Sequence, residues 1–347
     1  MLSQHLRPSC VAVATALAAS LLAACSTSTS GSAGGTGPTA NPAATDAFPV
    51  TLEHVYGETV IEAEPQRIAT LGWVDQDHAL ALGVVPVGAI EVSWGGNEQM
   101  STPWFDARLE ELDGEQPTRY SDADGAPVEE IAALRPDLIL ATNSGLTKQE
   151  YAKLTKLGVP VVAYPGDPWL TTWQDSLEMV GQALGRSDQA EELREETEAA
   201  IEQAAEDHPE LVGTSFVFAA LSTADTSKID YYLPEDARVK LLTDLGMVNA
   251  PIIEELAEPG QFYGTVSAER AQDMEADVFI TYAETDGDLE TFREDSLLGQ
   301  IPGIAEGRVL ASTDKTDALG MSSPSPLSIP WAMGTFVPQV AAALQGD

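Results

Sequence analysis

The chain has 347 residues, 44% of them hydrophobic, which is material for two cores of ordinary size. Its net charge of −38 argues against nucleic acid, because phosphate binding needs clustered Lys and Arg, and against lying on anionic lipid. Both cysteines, Cys10 and Cys25, fall in the first 25 residues, so the body of the chain has no disulfide, no thiol nucleophile and no thiolate metal site.

Residues 1–25 read as an export signal: Arg7 precedes an apolar run, Cys10 to Leu22, too short to span a bilayer as a helix. Its end, Leu22-Ala23-Ala24-Cys25, resembles the lipobox of bacterial lipoproteins, in which the Cys is lipidated and becomes the first mature residue. The alternative is an ordinary signal peptide with an incidental Cys. Residues 26–47, rich in Ser, Thr, Gly and Pro, cannot build a core and read as a flexible tether with a reach on the order of 25 Å.

A first lobe is expected over 48–170. After an extended HVYGETVIEAEP, strands at Arg67–Leu71, Val84–Ile90, Asp137–Ala141 and Val159–Tyr164 alternate with helices at Asp75–Leu82, Val128–Leu134 and Thr147–Leu157. Glu91 to Ala126 reads as a long irregular segment. A helical region, 171–210, follows. Its first helix, Thr171–Leu184, carries a capping box at Thr171 and Gln174 and closes at Gly185. Its second, Ser187–Asp207, has small or apolar residues at Ala190, Leu193, Thr197, Ala200, Ile201 and Ala204, one stripe at helical spacing. The other faces are mostly Asp and Glu. Ser187 suits the N-cap, and the helix would span roughly 30 Å. Taken alone it is a spacer, a coiled-coil arm or the spine of a two-lobed protein.

The second lobe, 211–347, repeats the alternation. Thr214–Ala220, Lys228–Leu233, Asp277–Tyr282 and Arg308–Ser312 are extended; Asp236–Leu245, Ser267–Met274, Leu289–Leu298 and Trp331–Leu344 are helical, the last interrupted by Pro338. Such alternation implies mostly parallel sheets with helices on their faces. The lobes also match in sequence. Glu129 and Asp137 stand eight apart, as do Glu269 and Asp277, and Ala81-Leu82-Gly83-Val84 pairs with Asp244-Leu245-Gly246-Met247. Glu129 and Glu269 each fall in the first turn of a helix. They either complement the helix dipole or dock onto a partner that is itself two-fold symmetric.

No GxSxG elbow, Walker loop or clustered His/Asp/Glu set is present in the sequence, and His5, His54, His78 and His208 are scattered. An enzyme is therefore the weaker class. In open parallel sheets, ligands bind beyond the carboxyl ends of the strands. Trp73, Trp94, Tyr164 and Tyr282 stand there, with Phe262 and Tyr263 in the loop before the Glu269 helix, and Tyr231 and Tyr232 after the second lobe's first strand. Trp104 and Tyr120 lie in the irregular segment beside Arg108 and Arg119. Each aromatic alone is ordinary packing; together they suit a large, rigid, partly apolar ligand. Arg119 and Arg108 could meet carboxylate or catecholate oxygens, or pair with a neighbouring Asp106 or Asp122.

RIATLGWVDQDHALALGVVPVGA, VEEIAALRPDLILAT, RVKLLTDLGMV and VSAERAQDMEADVFIT resemble the ferric-siderophore and cobalamin ABC-transporter substrate-binding lipoproteins, over about Phe48 to Leu344. The sequence looks closest to their actinobacterial iron-siderophore branch. The resemblance implies an α/β protein of two Rossmann-like lobes with mostly parallel sheets, joined by a single long interlobe helix. It implies a monomeric, extracytoplasmic receptor without cofactor, lipid-anchored through Cys25, that takes a ferric siderophore into the interlobe cleft. Trp73, Trp94, Arg119, Tyr164, Tyr231, Phe262, Tyr263 and Tyr282 are the expected cleft residues. Glu129 and Glu269 are expected to pair with arginines of the permease dimer of an ABC importer. Bases to hold a trianionic catecholate are sparse. The alternatives are haem or a cobalamin, ligated by His54 or a cleft tyrosine; a bare metal ion; a surface hydrolase; and a structural or adhesive lipoprotein.

Overall fold

A computed structural model describes residues 45–346. The export signal, Cys25 and most of the tether lie outside them. In chain order the first lobe holds β1 (Val50–His54), β2 (Gly57–Ile61), β3 (Ile68–Thr70), α1 (Asp75–Ala81), β4 (Gly88–Ile90), α2 (Pro103–Glu111), β5 (Thr118–Tyr120), α3 (Val128–Leu134), β6 (Leu138–Ala141), α4 (Lys148–Leu154) and β7 (Val161–Ala163). Helices α5 (Trp173–Leu184) and α6 (Ser187–Asp207) lead to β8 (Ser215–Ala220), β9 (Lys228–Tyr232), α7 (Ala237–Asp244), β10 (Val248–Asn249), α8 (Pro251–Leu256), β11 (Tyr263–Ser267), β12 (Val278–Tyr282), α9 (Asp288–Glu294), α10 (Pro302–Ala305), β13 (Val309–Ser312), α11 (Lys315–Ser322) and α12 (Ser328–Ala343).

The first sheet has the order β5-β4-β3-β6-β7 and is parallel throughout; β1 and β2 form a separate antiparallel hairpin. The second sheet is mixed. β8, β12 and β13 are parallel, and β10 pairs parallel with the start of β8 at Ser215 and Phe216. The end of β8, at Ala219 and Ala220, pairs instead with antiparallel β9, and β9 with antiparallel β11. Tyr263–Ser267 is thus a strand rather than the expected loop, and residues 268–273 form a 3-10 helix. The expected irregular segment likewise contains α2, with Thr102 as N-cap and Pro103 behind it, and the edge strand β5.

The sequence repeat has a physical basis. Asp137 stands one residue before β6 and accepts from the backbone N–H of Arg67, one residue before β3, at 2.8 Å. Asp277 stands one residue before β12 and accepts from the N–H of Ser215, which pairs with it at the start of β8, at 2.8 Å. The same carboxylate thus sets the register of the same strand pair in both lobes. Gly83 and Gly246 end α1 and α7 with φ of 77° and 88°, a left-handed closure that costs glycine nothing.

The lobes share one core. A continuous cluster runs from Ile68, Leu138 and Leu140 through Trp173 and Leu177 of α5 and Ile201 of α6 to Phe216, Phe218, Ile280 and Phe336. Ala190, Thr197, Ile201 and Ala204 are the buried face of α6, and that face lies against α5 and α12. The expected caps are corrected by one residue each. Thr172, not Thr171, accepts from the N–H of Asp175 at the start of α5. Ser187 is the first helical residue of α6, and its N–H donates to Asp46 Oδ2 at 3.0 Å. Thr45 and Asp46 also donate their backbone N–H groups to Gly185 O. The end of the tether is thus fastened to the interlobe helix.

A seam of α1 and α2 against the C-terminal helices closes one side of the space between the sheets. Leu80, Trp104, Phe105 and Leu109 pack with Leu319 there. Asp77 Oδ2 accepts from Trp104 Nε1 at 2.8 Å and from Ser325 Oγ at 2.9 Å, and Thr316 Oγ1 donates to Gly95 O at 2.9 Å.

Candidate functional site

Beyond the carboxyl ends of both sheets lies an open cleft of about 1520 Å³. It is contiguous with a second space of about 730 Å³ through Trp73, Arg238, Phe262 and Ser322. The first lobe supplies residues from the loops after its strands. Trp73 follows β3, Trp94 follows β4, Asn143 follows β6 and Trp169 follows β7. Trp73 is 42% exposed and meets Trp169 edge-on at 6.0 Å. Trp169 holds a φ of 65°, a strained backbone for a bulky residue and the kind of position where function is sought.

The second lobe supplies a hydrogen-bonded cluster. Asp236 caps α7 by accepting from the N–H of Arg238, and its Oδ1 also meets Arg238 Nε at 2.7 Å. Arg238 Nη1 donates to Tyr282 Oη at 3.1 Å, and Tyr282 Oη and Ser322 Oγ are 2.8 Å apart. The guanidinium lies 3.7 Å over the ring of Tyr232. Burial pushes the Asp236 pKa up, and the Arg238 charge is the main force pulling it back. The guanidinium is thus fixed in direction and always charged. Around it the wall is acidic. Lys315 pairs with Glu284 at 2.6 Å, and Asp230 and Asp288 also line the cleft. Two cations face these three acids, with Asp236 beside them.

Trp73, Trp94, Phe262, Tyr263 and Tyr282 line this space. Three expected cleft residues lie elsewhere. Arg119 turns into the first lobe, where Nη1 donates to Ile90 O and Gln76 Oε1 and Nη2 to Ser101 Oγ. Tyr164 is 4% exposed and is spent on Leu146 O and Tyr56 Oη. Tyr231 is 5% exposed on the inner face of β9, its ring filling the room that Gly264 leaves on β11. Side chains alternate along a strand, so it is Tyr232 that faces the cleft. Trp104 and Tyr120 are buried, the second donating to Thr70 O at 2.7 Å. Arg108 pairs with Glu111 on α2. His54 is buried in the hairpin, with Nε2 at 2.9 Å from Thr59 Oγ1 and Nδ1 accepting from the N–H of Tyr56, so it is no cleft ligand. Sequence reading did not single out Arg238, Trp169 or Asn143. The cap Asp236 was the available signal for Arg238.

Glu129 and Glu269 are exposed at equivalent places, the second residue of α3 and of the 3-10 helix at 268–273. Among the described residues no group of three His, Cys, Asp or Glu could hold a metal ion, and no helix is long and apolar enough to cross a membrane.

Residues 68–316 match the family model described as periplasmic binding protein. The probable siderophore-binding lipoprotein YfiY of Bacillus subtilis is 31% identical over 144 residues, which span 41% of each chain. The iron uptake ABC transporter substrate-binding protein PiaA of Streptococcus pneumoniae, solved in complex with ferrichrome, is 37% identical with a TM-score of 0.80, over 85% of this chain and 99% of that one. A periplasmic solute binding protein of Mycobacterium smegmatis is 30% identical, with a TM-score of 0.72 over 85% of this chain and 99% of that one. Two lobes sharing a core along α5, α6 and α12, an aromatic cleft between them, and a family match over most of the chain agree: the chain belongs to the periplasmic binding protein family.

Proposed function

We propose that this protein is an extracytoplasmic receptor that captures a ferric siderophore in the interlobe cleft and delivers it to an ABC importer. It does no chemistry on the ligand. The observation that carries the reading is the make-up of the walls: indole and phenol faces around one guanidinium held by Asp236 and Tyr282. Flat aromatic faces suit a rigid chelate, and a fixed guanidinium suits the oxygens at its surface. A ferric trihydroxamate is neutral, whereas a tris-catecholate keeps three negative charges. The acid balance of the wall favours the neutral chelate. The ferrichrome complex of PiaA supports the same choice, and the name of YfiY supports a siderophore as the ligand. Burial pushes the Tyr232 phenol well above its ordinary pKa, and its ring lies under the Arg238 guanidinium.

Cys25 carries the lipid that holds the protein at the outer face of the membrane, and the tether gives it reach. Glu129 and Glu269, one on each lobe, meet arginines of the permease dimer.

Tryptophan-fluorescence quenching with ferric hydroxamates, ferric catecholates, haem and cobalamin tests the ligand. Saturable quenching by hydroxamates, with the chelate recovered intact, is expected. No saturable quenching by any iron chelate would overturn the reading. Replacing Glu129 and Glu269 together by Ala should lower uptake and leave ligand affinity unchanged; a fall in affinity would place these acids in the cleft or the fold.

A further inference from the structure

We infer that Asp75 is a positioning residue of the ligand site: its buried carboxylate ties together the two strand-end loops that present Trp73 and Asn143. The inference rests on the cleft being where the ligand binds.

Asp75 is the first residue of α1 and is wholly buried. Its Oδ2 accepts from Gly72 N, in the loop after β3, at 3.0 Å, and from Thr142 N, in the loop after β6, at 3.0 Å. Its Oδ1 accepts from Thr142 Oγ1, which also meets Ser176 Oγ on α5. One side chain therefore joins three elements. The two loops it joins carry the cleft wall. Trp73 follows Gly72, Asn143 follows Thr142, and Trp73 N donates to Asn143 O at 2.9 Å between them. Trp169 hangs on the same loop, through its N–H to Ser144 O and its ring over Gly145.

Gly72 has a reason in this arrangement. A Cβ there would land on the Asp75 carboxyl, so the backbone passes where only glycine fits. The simpler account of Asp75 is an acid in the first turn of a helix, complementing its dipole. An exposed acid does that at no desolvation cost. Burial instead pushes the Asp75 pKa up to about 6, against the hydrogen bonds from Thr142, Gly72 and Ser176. A buried carboxylate with that cost is kept where its geometry is needed.

The test uses the mature chain labelled with 5-fluorotryptophan, with the Trp73 resonance assigned through Trp73→Phe, and ferrichrome as the probe. Asp75→Ala should weaken ferrichrome binding by about tenfold or more. It should also shift or broaden the Trp73 fluorine resonance without ligand and leave that of Trp331 in place. Trp331 bonds to Asp317 among the C-terminal helices and reports on the fold at large. Asp75→Asn keeps both N–H partners on its amide oxygen, and the Thr142 hydroxyl can turn to accept from its NH2. It should restore affinity to within about threefold and return the Trp73 resonance. If Asp75→Ala does not fold, Thr142→Val, which removes the hydroxyl's bonds to Asp75 and Ser176 and no backbone bond, should move the Trp73 resonance in the same direction. An unmoved Trp73 resonance in Asp75→Ala, or in Thr142→Val where Asp75→Ala does not fold, overturns the inference, as does unchanged ferrichrome affinity in Asp75→Ala. Failure of the wild-type chain to bind ferrichrome overturns the ligand reading instead, and the unliganded Trp73 resonance still decides whether Asp75 sets the loop.

Discussion

The first lobe faces the cleft with loops, and the second adds strands and helix starts to loop residues such as Phe262 and Glu284. Trp73, Trp94, Asn143 and Trp169 all stand in segments after strands, whereas Tyr232 and Tyr282 are on strands and Arg238 is in the first turn of α7. The first wall offers indole area, held by backbone bonds and by Asp75. The second offers a guanidinium and a phenol locked in a chain of bonds from Asp236 to Ser322, with the Tyr232 ring beneath the guanidinium. Loops bearing flat rings can follow the outline of a chelate. Side chains on strands and helix starts point one way and orient it. One wall thus supplies contact area and the other direction.

Cutting each wall in turn should separate the two. Arg238→Ala should have the largest effect. It leaves the Asp236 carboxylate buried without its cation, which costs about 3 kcal/mol of stability. It should also weaken chelate binding by about a hundredfold, as expected for a lost charge-assisted hydrogen bond. Trp73→Ala removes a ring that is 42% exposed, so the melting temperature should hold while affinity falls about tenfold. Thermal melts beside quenching titrations measure both. Equal loss of stability in the two variants would erase the distinction between the walls.

The seam between the lobes should respond to pH rather than to ligand. Asp77 is buried at that seam, and burial pushes its pKa up to about 6 despite its bonds to Ser325 and Trp104. Its folded value lies above the unfolded value of 3.8, so the native state holds the proton more tightly. The stability it contributes is fully present below the unfolded value and is lost as pH rises through about 6. Asp75 has the same sign. His78 opposes them, because burial lowers its pKa to about 3 and the unfolded chain takes its proton first as pH falls. Asp77→Asn isolates one term. It keeps an oxygen for Ser325 and Trp104 and removes the charge. Denaturant melts from pH 4.5 to 7.5 should show a gain that grows with pH to about 1–3 kcal/mol, with ligand affinity unchanged. A gain that does not change with pH would mean Asp77 is not titrating there.

The parts legible in the sequence were those written in local spacing. The stripe of α6 gave its bounds and its buried face, because one period over many residues leaves little choice. Asp137 and Asp277 were legible as a repeat because each serves the same strand pair from the same position. The parts that escaped depend on distant partners. Whether Tyr231 or Tyr232 faces the ligand is set by the register against β11 and by Gly264 across from it. Arg119 looked available until Gln76 and Ser101, far along the chain, came to meet it. β9 is legible as an extended piece, but its antiparallel partner β11 is not, because β8 changes partners midway and no local pattern records that.

The smallest effect belongs to the link that joins the walls. Asp46, at the end of the tether, accepts from Ser187 N at the start of α6, where no side chain of the helix's own N-cap residue does so. Asp46→Ala should cost about 0.5–1 kcal/mol, the usual worth of a helix cap, and should speed amide exchange at Ser187. The backbone bonds of Thr45 and Asp46 to Gly185 O survive the change, and α6 keeps its packing on α5 and α12. The walls should therefore hold their separation, and ferrichrome affinity should stay within about twofold. A larger loss would mean that fastening the tether sets how far apart the two walls stand, and that the area of one wall and the direction of the other are not independent.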